Sequence, residues 1–185
     1  MYFVNVLLRV LKLDEAVYDE IHEKGVAFKY GHVTFLVVAF IYGFSSILLL
    51  PYILEDVETA ELFILQGFTI SAGIFVAFIL YLSGAALLWA FSRGLGAELY
   101  FRHVYSNLGV ALVPLWFAMP GLALIMAGVE SQLLSLYTMI TSAYVLPTAF
   151  VATKNASGLS YQRMVFVALI LAIFLISFIY LWLVQ

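Results

Sequence analysis

Charged residues in this chain fall into short clusters, separated by uncharged stretches long enough to cross a bilayer. No Asp, Glu, Lys or Arg lies between His32 and Glu55, or between Glu61 and Arg93. The same holds for Val104–Val129, Ser131–Thr153 and Met164–Gln185. A helix needs roughly 20 apolar residues to cross about 30 Å of hydrocarbon. The pattern therefore predicts an all-α integral membrane bundle of five transmembrane helices, with spans at about 33–54, 66–92, 104–129, 131–153 and 164–185. Only a tight turn at 128–132 separates the third and fourth, so these form an antiparallel hairpin.

Residues 1–31 carry a different period. Phe3, Leu7, Val10 and Leu11 recur at helical spacing while Asn5, Arg9 and Lys12 point elsewhere, which predicts a helix lying in the headgroup plane. A second short helix follows, with Asp14 at its N-cap, Val17 and Ile21 inward, Lys24 in its last turn and Gly25 closing it. Asp19, Glu20 and Glu23 form its acidic face. The chain is thus read as an amphipathic N-terminal arm, 1–31, followed by a five-helix domain, 32–185.

Composition agrees: 65% of the 185 residues are hydrophobic and 10% charged, with a mean hydropathy of +1.11, whereas a soluble domain carries about a quarter charged residues. A net charge of −3 excludes nucleic acid as a partner, since neutralising phosphates takes a basic face. With no cysteine there is no disulfide, thiolate metal site or Cys nucleophile. The opening MYFVNVLL has no basic n-region, so no removable signal peptide is expected.

Charge placement sets orientation. Arg9, Lys12, Lys24 and Lys29 precede the first span, Arg93 and Arg102 join the second and third, and Lys154 and Arg163 join the fourth and fifth. All eight basic residues share one side, which the positive-inside rule makes cytoplasmic. The other side holds Glu55, Asp56, Glu58, Glu61 and Glu130. The N-terminus is expected inside and the C-terminus outside.

The segment SRGLGAELYFRHVYSNLGVALVP, residues 92–114, is then a cytoplasmic elbow. Gly94 and Gly96 permit the turn, and AELYFRHVY is expected to run as helix into the third span with Glu98 and Arg102 as an i,i+4 ion pair. Two readings fit it. Arg93 and Arg102 anchor the topology by reaching to headgroups, with Tyr100, Phe101 and Tyr105 in the aromatic belt; or Glu98, Arg102, His103 and Asn107 form a polar docking face. The acidic arm helix likewise reads as a solvated surface or as a partner-docking face through Asp14, Asp19, Glu20 and Glu23.

Chemistry inside the membrane is sparse. Buried ionisable groups mark pumps and ion pathways, and the spans hold none; Asn107 alone sits near a mouth. His22, His32 and His103 form no HxxxH or Glu-x-x-His pair, and a metal site would need His32, His103 and Glu98 to converge. No metal, haem or other cofactor is expected. Pro114 and Pro120 break the third span, placing it inside the bundle or along a solute cavity. Gly73 with Ala77, Ala86 with Ala90, and Gly121 mark expected close packing.

The order of landmarks resembles the Yip family, five-span membrane proteins named for interaction with Rab GTPases, and more narrowly its prokaryotic branch. The matching residues are Gly94, Gly96, Ala97, Phe101, Asn107, Ala111 and Pro114 in the elbow, Pro120 beyond it, and Gly158, Leu159, Ser160 and Arg163 before the last span. The resemblance implies a membrane domain without a catalytic centre, in a prokaryotic cell membrane. Eukaryotic members carry an acidic-Leu-x-Gly-Pro tract before the first span; LKLDEAVYDEIHEK stands there instead, so GTPase binding does not carry over. The expected function is a non-enzymatic scaffold or adaptor in the lipid bilayer, binding a membrane or peripheral protein or a second copy of itself. The alternative is a transporter or channel for a neutral or lipid-like solute at the Pro114–Pro120 break.

Overall fold

A computed structural model describes residues 2–53 and 59–183. The expected acidic loop Glu55, Asp56 and Glu58, and the terminal Val184 and Gln185, lie outside the described residues. The described elements are all helical: α1 (Tyr2–Leu11), α2 (Ala16–Glu23), α3 (Ala27–Ile53), α4 (Thr59–Gly94), α5 (Phe101–Ala111), α6 (Leu115–Met126), α7 (Gln132–Ala143), α8 (Val145–Ser157) and α9 (Tyr161–Leu183). Three helical stretches, Ala27–Ser45, Ile64–Gly94 and Gln132–Ser157, are long and apolar enough to cross a membrane, and the bent pair α5–α6 raises this to as many as four. Large apolar side chains face outward on them, Phe40, Ile64, Phe68, Phe75, Leu133 and Met139 among them, an arrangement that water would penalise and hydrocarbon accepts.

The third apolar run is two helices meeting at 64°. Pro114 has no N–H, so the Val110 carbonyl loses its helical donor, and the Val113 amide takes it in a tighter turn at 3.4 Å. The Leu115 amide in turn bonds Leu112 O at 2.9 Å and leaves the Ala111 carbonyl without its own helical partner. The fully buried Thr148 hydroxyl of α8 donates to that carbonyl across 2.9 Å. A neighbouring helix thus repairs the break, as hydrocarbon surroundings require. The fourth run is interrupted as well: α7 and α8 meet at a turn on Tyr144, three residues before Pro147. The two helices still form one stretch, Gln132–Ser157, long and apolar enough to cross a membrane, over the segment where the sequence places the fourth span.

The tightest crossing joins α3 to α5. A Cβ on Gly31 would lie 2.7 Å from Ser106 O, and one on Gly109 2.8 Å from Gly31 Cα, so the two backbones touch. Next to it Tyr81 donates to the Tyr105 carbonyl. One apolar cluster gathers Tyr81, Leu88, Val104, Leu108, Met164 and Val167 between α4, α5 and α9.

A second cluster runs from the bundle into the N-terminal helices. Val6, Val10, Val17, Tyr18 and Ile21 pack against Val110, Ala111, Val113 and Ala152. The arm is therefore a cap on one end of the bundle, with its buried stripe turned to protein. This corrects the expectation that Leu7 and Val10 dip into headgroups; Val4 and Leu8, 58% and 53% exposed, are the apolar residues that α1 turns outward. The pattern of the arm sequence was read correctly for Val17 and Ile21, both fully buried.

Candidate functional site

The polar residues singled out in the sequence gather where the cap meets the bundle. α1 and α2 are fastened together by Glu20. It pairs with Lys24 at 2.7 Å and with Arg9, and accepts the Tyr2 hydroxyl at 2.9 Å. Arg9 also holds Asp14 at 2.7 Å. Hydrogen bonds from Lys24, then Arg9 and Tyr2, hold the Glu20 carboxyl down at about 2; Lys24 shifts upward through its bond to Glu20, Arg9 through its bonds to Asp14 and then Glu20, and Tyr2 through burial and then its bond to Glu20. Asp14 in addition accepts the Ala16 amide at 3.1 Å; the N-cap position of α2 falls one residue later than expected, on Glu15, whose side chain makes no capping bond. Asp14 and Glu20 are thus internal struts of the cap.

The cap is fastened to the bundle by a closed polar circuit. Asp19 of α2 accepts from Asn155 Nδ2 of α8 at 2.8 Å. Asn155 Oδ1 accepts from Asn107 Nδ2 of α5 at 3.1 Å, and the same Nδ2 donates to Ala152 O at 3.2 Å. Asn107 Oδ1, 2.7 Å from His22 Nε2, returns the circuit to α2. The donors follow from the one group that can only accept: the Asp19 carboxylate orients Asn155, Asn155 orients Asn107, and His22 must then carry its proton on Nε2. Asn107 is wholly buried, and both its Nδ2 hydrogens and its oxygen are used. Beside the circuit, Lys154 reaches both oxygens of Glu15 at 2.7 Å.

The elbow is built differently from the expectation. The Gly96 amide bonds Arg93 O at 3.0 Å and the Ala97 amide bonds Ser92 O at 3.1 Å, with Gly96 at φ +92. This closes α4 with the pair of bonds that a left-handed C-terminal residue allows. Ala97–Tyr100 are non-helical and α5 begins at Phe101. Ala97 and Leu99 turn inward, Glu98 and Tyr100 outward, and Leu99 O receives the Trp89 indole N–H at 3.3 Å. Glu98 therefore precedes the helix and forms no ion pair with Arg102, whose guanidinium lies 5.2 Å from the Phe28 ring instead. His103 is exposed beside His22, with ring centroids 4.7 Å apart, and beside Tyr100 at 6.0 Å.

Of the residues expected to form a docking face, Glu23, Glu98, Arg102 and His103 are exposed with no hydrogen bond or ion pair from their side chains among the described residues, and Asp19 is exposed but tied to Asn155. Asn107 is inside. Sequence reasoning missed Glu15, Lys154, Asn155 and Thr148, which act between helices far apart in the chain. An Asn in an apolar run is itself the available signal, because hydrocarbon offers it no partner but another helix.

No three His, Asp or Glu residues among the described ones could hold a metal ion; His32 is engaged with Tyr105 at 3.1 Å and with Phe28 O at 2.9 Å. At the break in the third run, Val110, Ala111, Val113 and Pro114 are buried. Pro120 sits within α6 on an exposed position. Two clefts open on the sides of the bundle instead. One of about 330 Å³ lies between α4, α8 and α9 and is wholly apolar, with Leu88, Phe150 and Met164 in its wall. The other, about 230 Å³, is lined by Phe28, Leu82, Phe101, Arg102 and Tyr105. No family model, curated protein or solved structure matches the chain.

Proposed function

We propose that the chain is a non-enzymatic, five-span integral membrane scaffold of the Yip-family type, whose N-terminal helices cap the cytoplasmic end of the bundle and present a fixed polar surface to a protein partner. The spans are α3, α4, α5 with α6, α7 with α8, and α9, the last being 23 residues of almost unbroken apolar helix. All eight Lys and Arg residues lie in the arm and its junction with α3 or near the α4–α5 and α8–α9 connections, and the positive-inside rule supports a cytoplasmic position for that end; a prokaryotic cell membrane is the setting the resemblance implies.

The observation that carries this reading is the circuit Asp19–Asn155–Asn107–His22. It spends a buried asparagine and two long-range hydrogen bonds on fixing a small helix to a membrane bundle, which a membrane anchor has no need of. The docking surface is then Glu23, Glu98, His103 and the outer edge of Asp19, on the seam between α2, the elbow and α5; Arg102 turns instead to Phe28. The partner is a membrane or peripheral protein, or a second copy.

Crosslinking in the native membrane, with mass spectrometry of what is attached to residues 1–32 and 92–107, tests it. A protein captured in near-stoichiometric amount, and lost when Glu23 and Glu98 are both changed to Lys, supports the adaptor. Capture that survives both changes contradicts the assigned face. Glu20 is unsuitable for this test, because reversing its charge dismantles the cap.

A second reading draws on the crossing of two interrupted spans, where Thr148 meets Ala111. A transporter for a neutral or lipid-like solute would open there, and Pro114→Ala would abolish flux of that solute in vesicles.

A further inference from the structure

The cleft between α3, α4 and α5 joins an apolar floor to a free cation. Phe28, Leu82, Phe101 and Tyr105 supply the floor and walls, and Arg102 supplies the rim. Phe28 and Leu82 are 43% and 39% exposed, an uncovered apolar surface at the capped end of the bundle. Arg102 is exposed and pairs with no carboxylate among the described residues; its guanidinium rests over the Phe28 ring. The Tyr105 hydroxyl is already engaged by His32, 3.1 Å away, which leaves Arg102 as the one lining side chain whose polar group has no hydrogen-bond or ion-pair partner among the described residues.

Charge around the cleft points the same way. Arg9, Lys24 and Lys154 are neutralised by Asp14, Glu20 and Glu15. Lys12, Lys29, Arg93, Arg102 and Arg163 are exposed and form no ion pair among the described residues, against three exposed acids without an ion pair at that end, Asp19, Glu23 and Glu98. Lys29 follows Phe28 directly. An occupant must therefore combine a hydrocarbon chain with an anion at the depth of the headgroups, and must be available from the side of the bundle.

We propose that this cleft is a specific site for an anionic glycerophospholipid of the cytoplasmic leaflet, with its phosphate at Arg102 and the start of one acyl chain against Phe28, Leu82 and Tyr105. A basic pocket between membrane helices on the cytoplasmic side recognises such headgroups. A partner's apolar helix would fill the floor but strand the guanidinium. The site depends on the membrane placement and orientation given above, and not on the adaptor role.

Native mass spectrometry of the full chain in a neutral detergent, with phosphatidylglycerol and phosphatidylcholine added in equal amounts, tests it. One phosphatidylglycerol should be retained in preference. Arg102→Gln should reduce that preference about fivefold, the factor for one cation beside an anionic headgroup, and Arg102→Lys should keep most of it. Leu82→Trp fills the floor without touching the charge and should lower retention of phosphatidylglycerol; it serves equally if Arg102→Gln melts below the wild type. Equal retention of the two lipids, an unchanged preference in Arg102→Gln, or full displacement by inorganic phosphate at millimolar level would overturn the proposal. Release of the protein from membranes by a carbonate wash would overturn the membrane placement instead, and loss of the crosslinked partner would bear only on the adaptor.

Discussion

Replacing Asn107 by Ala removes the junction at which α2, α5 and α8 meet. The side chain is wholly buried and makes three hydrogen bonds, to His22, Ala152 and Asn155 at 2.7, 3.2 and 3.1 Å. At roughly 1 kcal/mol of net stabilisation per bond the loss is about 3 kcal/mol. The Ala152 carbonyl lies inside α8 and keeps its helical donor. The His22 N–H and the Asn155 oxygen regain partners only where water enters, which favours lifting α2 from the bundle. The loss should thus appear at the cap more than in the spans. Limited trypsin digestion of detergent-solubilised protein reads this directly, because Lys12, Lys24 and Lys29 are exposed and flank or end the cap helices. Cleavage there should accelerate roughly a hundredfold if opening of the cap limits it, since about 1.4 kcal/mol is a factor of ten in an equilibrium. A second variant, His22→Ala, should couple to it by about 1 kcal/mol in a double-mutant cycle. Cleavage at the wild-type rate, with an unchanged melting midpoint, would refute the reasoning: the circuit would then be incidental to how the cap is held.

Three further outcomes follow from single positions. Gly31→Ala sets a methyl 2.7 Å from the Ser106 carbonyl, and overpacking a backbone crossing should cost about 1–3 kcal/mol or more, seen as a lowered thermal midpoint in detergent. Leu13 holds a left-handed φ of 60 on a side chain that is 37% exposed; Leu13→Gly should relieve that strain and raise stability by up to about 1 kcal/mol by the same measurement. Glu20 has a folded value of about 2 against an ordinary 4.5, so its contribution is fully present above 4.5 and is lost as pH falls from there towards 2. Tryptic or peptic opening of the cap should rise over that window, and Glu20→Gln should flatten the dependence.

The helical spans and the two arm helices were legible because they rest on local information. Runs without charge mark where the long apolar helices lie, three of them, or four with the bent pair, long enough to cross a membrane, and the 3.6-residue period gave Val17 and Ile21 as the inward face of α2. The proline at 114 announced its own break, since no neighbour can return the missing N–H. What the sequence could not show is which surface each face meets. Leu7 and Val10 have the same spacing whether they enter headgroups or pack on Val110 and Ala152, and only the arm's path back over the bundle decides. Glu98 and Arg102 have ion-pair spacing, but Gly96 ends α4 and leaves Glu98 in extended chain, so the helical premise failed. Small residues misled in part: a Cβ on Gly73 would meet Tyr42 only at an ordinary 3.6 Å, and one on Gly121 would run into the Thr138 side chain, but the closest approach of backbone to backbone is Gly31 on Gly109. Its two members lie in different helices and show no shared motif. The pairs Glu15 with Lys154 and Asp19 with Asn155 span well over a hundred residues, and nothing local marks them.

The account rests on the cap being seated on the bundle in the membrane. The chain has no cysteine, so Glu15→Cys with Lys154→Cys gives a clean pair at a seam where the native side chains meet at 2.7 Å. Treated with a short thiol-specific crosslinker in native membranes, this pair should link rapidly and within one chain. A pair that stays unlinked, while a lipid-borne quencher reaches a fluorophore placed at the buried Val6 position, would mean that the arm lies in the headgroups and that no fixed surface is presented.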